Sequence, residues 1–248
     1  ACGSFLVLSI GVHRRGAPAD PAERGSGTGG FALYARSSLP VLFDLNEAEG
    51  RAAFALDEAD LEGVAVVALR ARAGDDASCL QLGVPAEPEL LAVDPSELEA
   101  RGAFRFAGAF GDVEPSWKLL ETTVDGAIPA IADHASATWT MKKKLGETFE
   151  YVDERGEPFQ VRLVGLLEGS ILQGSLIIAR EAFEERFPSA SGSRVFLIDA
   201  PAERAGAVAA RLSAALSDVG LEVTPASVRL AEFQEVQNTY LAVFEWLG

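Results

Sequence analysis

Short runs of alternating or continuous apolar residues punctuate the chain, with stretches of three- to four-residue spacing between them. Phe31–Ala35 reads as a strand, and Val64–Arg72 as a second that begins continuous and ends alternating. Between them Asn46, with Glu49 three residues on, predicts the N-cap of a short helix reaching about Leu56. Gly74-Asp75-Asp76 turns the chain into a loop-rich region over 75–101 that holds Pro85, Pro88 and Pro95. Within it, Asp94-Pro95-Ser96-Glu97 has the N-cap, first-turn proline and capping box of a short helix. Phe104-Arg105-Phe106 alternates as a strand does. Ile128–Ala132 is a short strand in which Pro129 suggests a sheet edge. Asp133 is placed to cap a helix running to about Leu145 and closed by Gly146. Thr148–Val152 and Phe159–Leu167 flank a turn containing Gly156 and predict a hairpin. Leu176–Ile178 is a further strand, succeeded by a helix over 180–187.

The last quarter alternates again. Arg194–Ile198 reads as a strand, Pro201 opens a helix whose one face carries Val208, Leu212, Leu216 and Val219, and Gly220 ends it before Leu221–Val223. Ser227 opens a final helix with a stripe of Leu230, Phe233, Gln237, Tyr240, Phe244 and Leu247, polar only at Gln237. Residues 16–30 are rich in Pro and Gly and read as a linker. Two apolar runs, Phe5–Val12 and Tyr240–Leu247, are each about half as long as a bilayer span requires. They read equally as the stubs of two membrane spans around a globular insert, or as a terminal strand and helix packed on the core. A signal peptide fits the first run poorly, because His13-Arg14-Arg15 comes next instead of a small-x-small cleavage site. The same basic residues suit a cytoplasmic flank, although the positive-inside rule weakens for long loops.

Charge narrows the classes further. Lys and Arg number 21 against 37 Asp and Glu, a formal net charge of -16, which repels phosphate and argues against general nucleic-acid binding. The two cysteines, Cys2 and Cys79, with His13 and His134, cannot build a zinc finger. Cys79, without Cys or His nearby in sequence, reads as a structural thiol. The glycines of 25–30 lack the Lys-Ser/Thr that completes a phosphate loop. The acidic run Asp57, Glu58, Asp60 and Glu62 lacks calcium-loop spacing and reads as a solvated face. Lys142-Lys143-Lys144 reads as the cationic end of the helix predicted from Asp133, with a lipid-headgroup or nucleic-acid patch as the alternative. Trp117, Trp139 and Trp246 read as core or contact residues, and Trp246 also suits a membrane interface. Asp133-His134 adjacency without a Gly-x-Ser-x-Gly elbow does not make a hydrolase. The chain therefore reads as non-catalytic, with no cofactor or metal site.

The segment Ile128–Phe187 resembles the periplasmic core of FtsX-like, MacB-type ABC transporter permeases. The likeness lies in a helix ending Lys-Lys-Lys-Leu-Gly, a strand Glu-Thr-Phe-Glu-Tyr, then Phe159-Gln160-Val161-Arg162-Leu163-Val164-Gly165-Leu166-Leu167 and Gly174-Ser175-Leu176-Ile177-Ile178-Ala179. Glu235–Leu241 and on to Gly248 is similar to the helix entering the second span of these permeases, and Phe5–Val12 to the end of the first. The segment 75–125 matches the family pattern least. The resemblance implies an α+β, MacB-like extracytoplasmic domain: an α/β subdomain formed from both chain ends (31–106 and 193–235) and a β-rich inserted subdomain (107–192). It also implies span stubs at 1–12 and 236–248 and a linker at 13–30. By the same resemblance the domain sits on the periplasmic side of the inner membrane. It couples ATP hydrolysis by cytoplasmic ABC ATPase partners to export or envelope work, within a permease dimer that can also engage an envelope or substrate protein. The expected coupling element is the final helix, with Leu230, Phe233, Tyr240 and Phe244 as its packing face. The alternative from another class is a free-standing extracytoplasmic module that binds a ligand or peptide. Cys2, at the expected membrane boundary, and Cys79, in the folded body, are expected to be unbridged. Mass spectrometry of the non-reduced chain checks this, and a linked Cys2–Cys79 peptide pair would refute it.

Overall fold

The structure, a computed structural model, describes residues 23–74 and 87–235. The stubs at 1–12 and 236–248, with Cys2, Cys79, Tyr240, Phe244 and Trp246, lie outside the described residues, as does most of the linker. The chain is a mixed α/β protein. Its strands are β1 (Leu33–Val41), β2 (Ala65–Arg72), β3 (Glu89–Val93), β4 (Phe106–Ala109), β5 (Ile128–Asp133), β6 (Thr148–Val152), β7 (Pro158–Leu167), β8 (Ser175–Ala179), β9 (Ser193–Asp199) and β10 (Leu221–Pro225). The helices are α1 (Ala48–Ala53), α2 (Pro95–Arg101), α3 (Arg180–Arg186), α4 (Ala205–Ala215) and α5 (226–235). The strands form one sheet in the order β10-β1-β9-β2-β3-β8-β5-β7-β4, and β6 also pairs with β7. The pairs β3–β8 and β5–β7 are parallel and the others antiparallel.

Because side chains alternate across a strand, the register assigns every apolar residue to a face. On one face Tyr34, Val67, Leu69, Leu91, Ile131, Ile177, Val195 and Leu197 belong to a single buried cluster that crosses from β1 to β7. It is covered by α2, the 3-10 turn Trp117–Glu121, the loop after β7 and the start of α5, through Leu98, Trp117, Leu120, Ile171, Leu172 and Leu230. The other face is split. Leu33, Val66, Phe196 and Ile198 pack with Val208, Leu212 and Leu216 of α4 and its succeeding turn. Separately, Leu90, Leu163, Leu176 and Ile178 pack with Phe149, Tyr151, Phe183 and Phe187. Charged groups bridge the division: Arg70 pairs with Glu184 at 2.9 Å, and the Arg180 guanidinium donates to the carbonyl of Ala68.

Most predicted elements are present, with shifts that have physical causes. Asn46 does not cap α1, whose N-cap position is Glu47. Its amide instead pairs with the Val66 backbone, donating at 2.8 Å and accepting at 2.9 Å, and so supplies the bonding of a strand neighbour. Asp94 caps α2 through the Ser96 N–H at 2.9 Å, and Gly102 closes that helix with φ 63°. Phe104 adopts φ 68° ahead of β4, and this left-handed position turns its ring between Phe31 and Trp117.

The edge expected from Pro129 is corrected. β5 lies inside the sheet between β8 and β7 with all six residues buried. The ladder to β8 involves only Ile131 and Ala132, so the donor that Pro129 lacks is not needed there. The helix expected from Asp133 to Leu145 starts directly after Asp133 but is cut short at Thr140. Asp133 ends β5, and the chain continues into a wide π turn over Ser136–Thr140 in which Met141 N–H donates to Ser136 C=O. Thr138, Trp139 and Thr140 are poor helix formers, and Lys142 at φ 52° breaks the path. Lys142–Lys144 thus lie in a loop rather than at the end of a long helix. The loop-rich stretch resolves after Glu87 into β3, which bonds to β2 on one side and β8 on the other. The acidic run makes a capping box at Asp57 and Asp60, and Asp60 pairs with Arg211 at 3.0 Å.

Ile177 sits at the middle of the sheet, fully buried in the continuous cluster. Ile177→Ala is expected to lower unfolding stability by about 2–5 kcal/mol, against less than ~0.5 kcal/mol for the exposed Val152→Ala. Urea unfolding of the two variants reads this as a change in midpoint at constant m.

Candidate functional site

The described flanks of the chain meet at one end of the sheet, here called its base. The base is where β5 and β7 finish side by side at Asp133 and Leu167, where β3 and β8 start together at Glu89 and Ser175, and where Val41 of β1 faces Ser193 of β9. The first flank starts there. Phe104 N–H donates to Arg24 C=O at 2.8 Å, and Ile171 N–H donates to Gly27 C=O at 2.9 Å. The segment then crosses the continuous face of the sheet towards Phe31 and β1. Arg101 holds it on the way, donating to Gly30 C=O at 3.3 Å and lying 4.3 Å over the Phe31 ring. Inside the segment Thr28 and Ser26 bond hydroxyl to hydroxyl at 2.8 Å, both buried.

The second flank, α5, runs the opposite way. It starts at the far end, where Ala226 N–H donates to Ala32 C=O at 2.9 Å, and descends to the base. Two neighbouring residues of its first turn hold it against the face and the loop after β7. Leu230 is buried in the continuous cluster against Gly27. Arg229 donates from Nε to Ile171 C=O at 2.8 Å while its guanidinium lies 3.8 Å over the Tyr34 ring and 5.0 Å from the Phe233 ring centre. Burial pushes the pKa of Arg229 down, and the neighbouring Tyr34 and Glu89 oppose that; a guanidinium keeps its proton throughout the accessible range. Such a stack is worth about 0.5–2 kcal/mol, and burying Leu230 about 1.5–3 kcal/mol.

Of the four residues expected on the coupling face, Leu230 lies in the core and Phe233 is half-buried against Arg229. Tyr240 and Phe244 lie outside the described residues. Sequence reasoning missed Arg229, because it lies beside the apolar stripe and not on it. What makes it a contact is Tyr34, far away in the sequence, so the sequence carried no signal for it.

The loop 168–174 links both flanks to the end of β5. Asp133, fully buried, accepts the N–H of Ser170 and, at 2.9 Å, that of Ala135. Burial raises the Asp133 pKa, and these N–H donors pull it back only in part. Ser136 accepts the Gly174 N–H at 2.8 Å. The close approach of the flanks depends on small residues: a Cβ on Gly27 would stand 2.2 Å from Gly169 O and 3.0 Å from the Leu230 methyls. A second polar group lies along the same base, where Arg36 pairs with Glu89 and the Ser175 hydroxyl donates to Glu89 at 2.9 Å.

Among the described residues no group of three or more His, Cys, Asp or Glu is placed to hold a metal ion, and no helix is long and apolar enough to cross a membrane. The arrangement is one of side-chain packing, backbone hydrogen bonds and a cation-ring stack. No family model matches the sequence, and no curated protein matches it. Among solved structures, the chain is similar to the periplasmic region of MacB from Actinobacillus actinomycetemcomitans, at 11% identity and TM-score 0.39, covering 86% of this chain and 95% of that one. It is also similar to the extracellular domain of the noncanonic ABC-type transporter YknZ from Gram-positive bacteria, at 15% identity and TM-score 0.38, covering 77% of this chain and 99% of that one.

Gly27→Val is expected to push α5 off the sheet and to cost about 1–3 kcal/mol, the range for overpacking. Arg229→Lys keeps the charge but loses the planar stack, and should cost about 1 kcal/mol. Hydrogen exchange checks both: protection should fall first in 226–235 and in 168–174, and unchanged exchange there would refute the assignment.

Proposed function

We propose that this chain is the extracytoplasmic domain of an ABC transporter permease. In this reading α5 carries displacement between the membrane and the folded body, driven by ATP hydrolysis in cytoplasmic partner subunits. The observation that carries the reading is that the two flanks meet, Leu230 of α5 against Gly27 of the first flank, with Arg229 and Gly27 both bonded to Ile171 in the loop after β7. A domain inserted between neighbouring spans needs its two flanks to leave together. A helix that transmits a push needs a lateral hold worth a few kcal/mol, and the contacts of Leu230 and Arg229 are of that size. The likeness of the strand order Thr148–Val152, Phe159–Leu167 and Ser175–Ala179 to the permease core supports the same reading, although the helix ending Lys-Lys-Lys-Leu-Gly is cut short. In it the domain lies on the periplasmic side of the inner membrane, works as one half of a dimer, and performs no chemistry of its own.

The test is a Gly-rich insertion directly after Glu235 in the intact transporter. Transport is expected to fall at least about tenfold while ATP binding persists, since an unbroken helix is what conveys the motion. Phe233→Ala is expected to uncouple more mildly. Its ring is half-buried, so the stability cost should be about 1.5–2.5 kcal/mol, below the range for a core phenylalanine. Normal transport with the insertion would overturn the coupling role.

A further inference from the structure

The π turn over Ser136–Thr140 has a use that neither the sheet nor the flanks require. Ala137 and Met141 are buried in the cluster below it, so the turn is pinned at both sides. The wide Ser136-to-Met141 closure pushes Thr138, Trp139 and Thr140 outward, and Trp139 is 72% exposed. Lys142, Lys143 and Lys144 come directly after. Lys142 and Lys144 are exposed, while Lys143 is half-buried with its ammonium 5.5 Å from the Phe149 ring centre. Among the described residues none of the three forms an ion pair; the nearest acid in sequence, Glu147, accepts the Lys144 backbone N–H. Three adjacent cations thus stand in a chain of net charge -16.

Their place in the fold says what they meet. The turn grows from Asp133 at the base and is tied to the loop 168–174, through Ser170 N–H to Asp133 and Gly174 N–H to Ser136. That loop is the one that touches Gly27 and Arg229. Trp139 and the lysines therefore lie on the end of the sheet towards which α5 descends. An exposed tryptophan beside lysines is the pairing that suits a headgroup layer: the amphipathic ring enters the interface and the ammonium groups meet phosphate. We infer that Trp139 with Lys142 and Lys144 is a contact site for the surface of a membrane carrying anionic lipids. This rests on the reading of α5 as a segment running towards a membrane.

The test is sedimentation of the 248-residue chain with vesicles of phosphatidylcholine alone and with about a quarter phosphatidylglycerol. Lys142→Ala/Lys144→Ala should weaken binding to the anionic vesicles about 25-fold, from roughly fivefold per lysine, and leave binding to neutral vesicles unchanged. Trp139→Ala should weaken binding to both. Apolar chain ends act equally in the parent and the variants, so the difference isolates the turn. Both are surface changes, and an unchanged thermal melt confirms folding. Equal binding of parent and double variant to anionic vesicles would overturn the inference. So would displacement of the parent by inorganic phosphate or by duplex DNA, which would assign the lysines to a free anion or a nucleic acid. None of these outcomes touches the coupling reading, which the insertion after Glu235 tests separately.

Discussion

One sheet face without a break is the constraint on which the rest of this protein depends. Strands β1, β9, β2, β3, β8, β5 and β7 all present apolar side chains to it, and none of the described helices is long enough to cover it alone. Coverage comes in pieces: the first flank, α2, the 3-10 turn at Trp117, the loop after β7, and α5. Each piece is too short to be stable by itself, so each depends on its neighbours. The aromatic run Phe31, Phe104, Trp117 and Phe106, with successive ring centres 5.6–6.1 Å apart, joins two of them, the first flank and the 3-10 turn, to β4. The Trp117 indole N–H, which burial obliges to find a partner, donates to Ala103 C=O at 2.9 Å.

The opposite face shows the consequence of losing that continuity. It carries two separate cores, one under α4 and one under α3 and the β6–β7 hairpin. The sheet itself, through β2, β3 and β9, is the main tie between them. Polar links at the division are half-exposed, and pairs such as Arg70–Glu184 add little stability in water. Relative motion of the two halves is thus resisted by strand pairing and by the continuous face rather than by the charges.

Much of this was legible in the chain. Alternating runs located β6 and β7, apolar runs wholly or partly continuous located β9 and β2, and the Asp94-Pro95 start of α2 was readable because capping chemistry is local. The errors share a cause: tertiary bonding replaced a local signal. Asn46 has the chemistry of a cap but bonds to Val66, twenty residues away. Pro129 signals an edge, yet its side of β5 is simply not bonded to β8 at that point. Asp133 also has the chemistry of a cap, and in part acts as one for Ala135, but its second oxygen is taken by Ser170. The stripe in α5 identified Leu230 by spacing alone. Arg229 was invisible to spacing because what makes it a contact is Tyr34, which lies almost the whole chain away.

The loop 168–174 is where these threads join, and its rigidity comes from burial. Ser170 N–H and the Asp133 carboxylate are both shut off from water, so breaking their bond would leave two polar groups unpaired at about 1–3 kcal/mol each. The Ile171 carbonyl holds Arg229 and the Ile171 N–H holds Gly27, so one residue binds both flanks through its two backbone groups. A displacement of α5 along its axis must therefore either break the Arg229 bond and its stack or carry the loop along. The loop in turn cannot move without Asp133, which is the last residue of an interior strand and the start of the turn that presents Trp139. Because a packed interior has little slack to absorb such a shift, the contacts that tie α5 to the sheet run through this loop and Asp133 rather than over the surface.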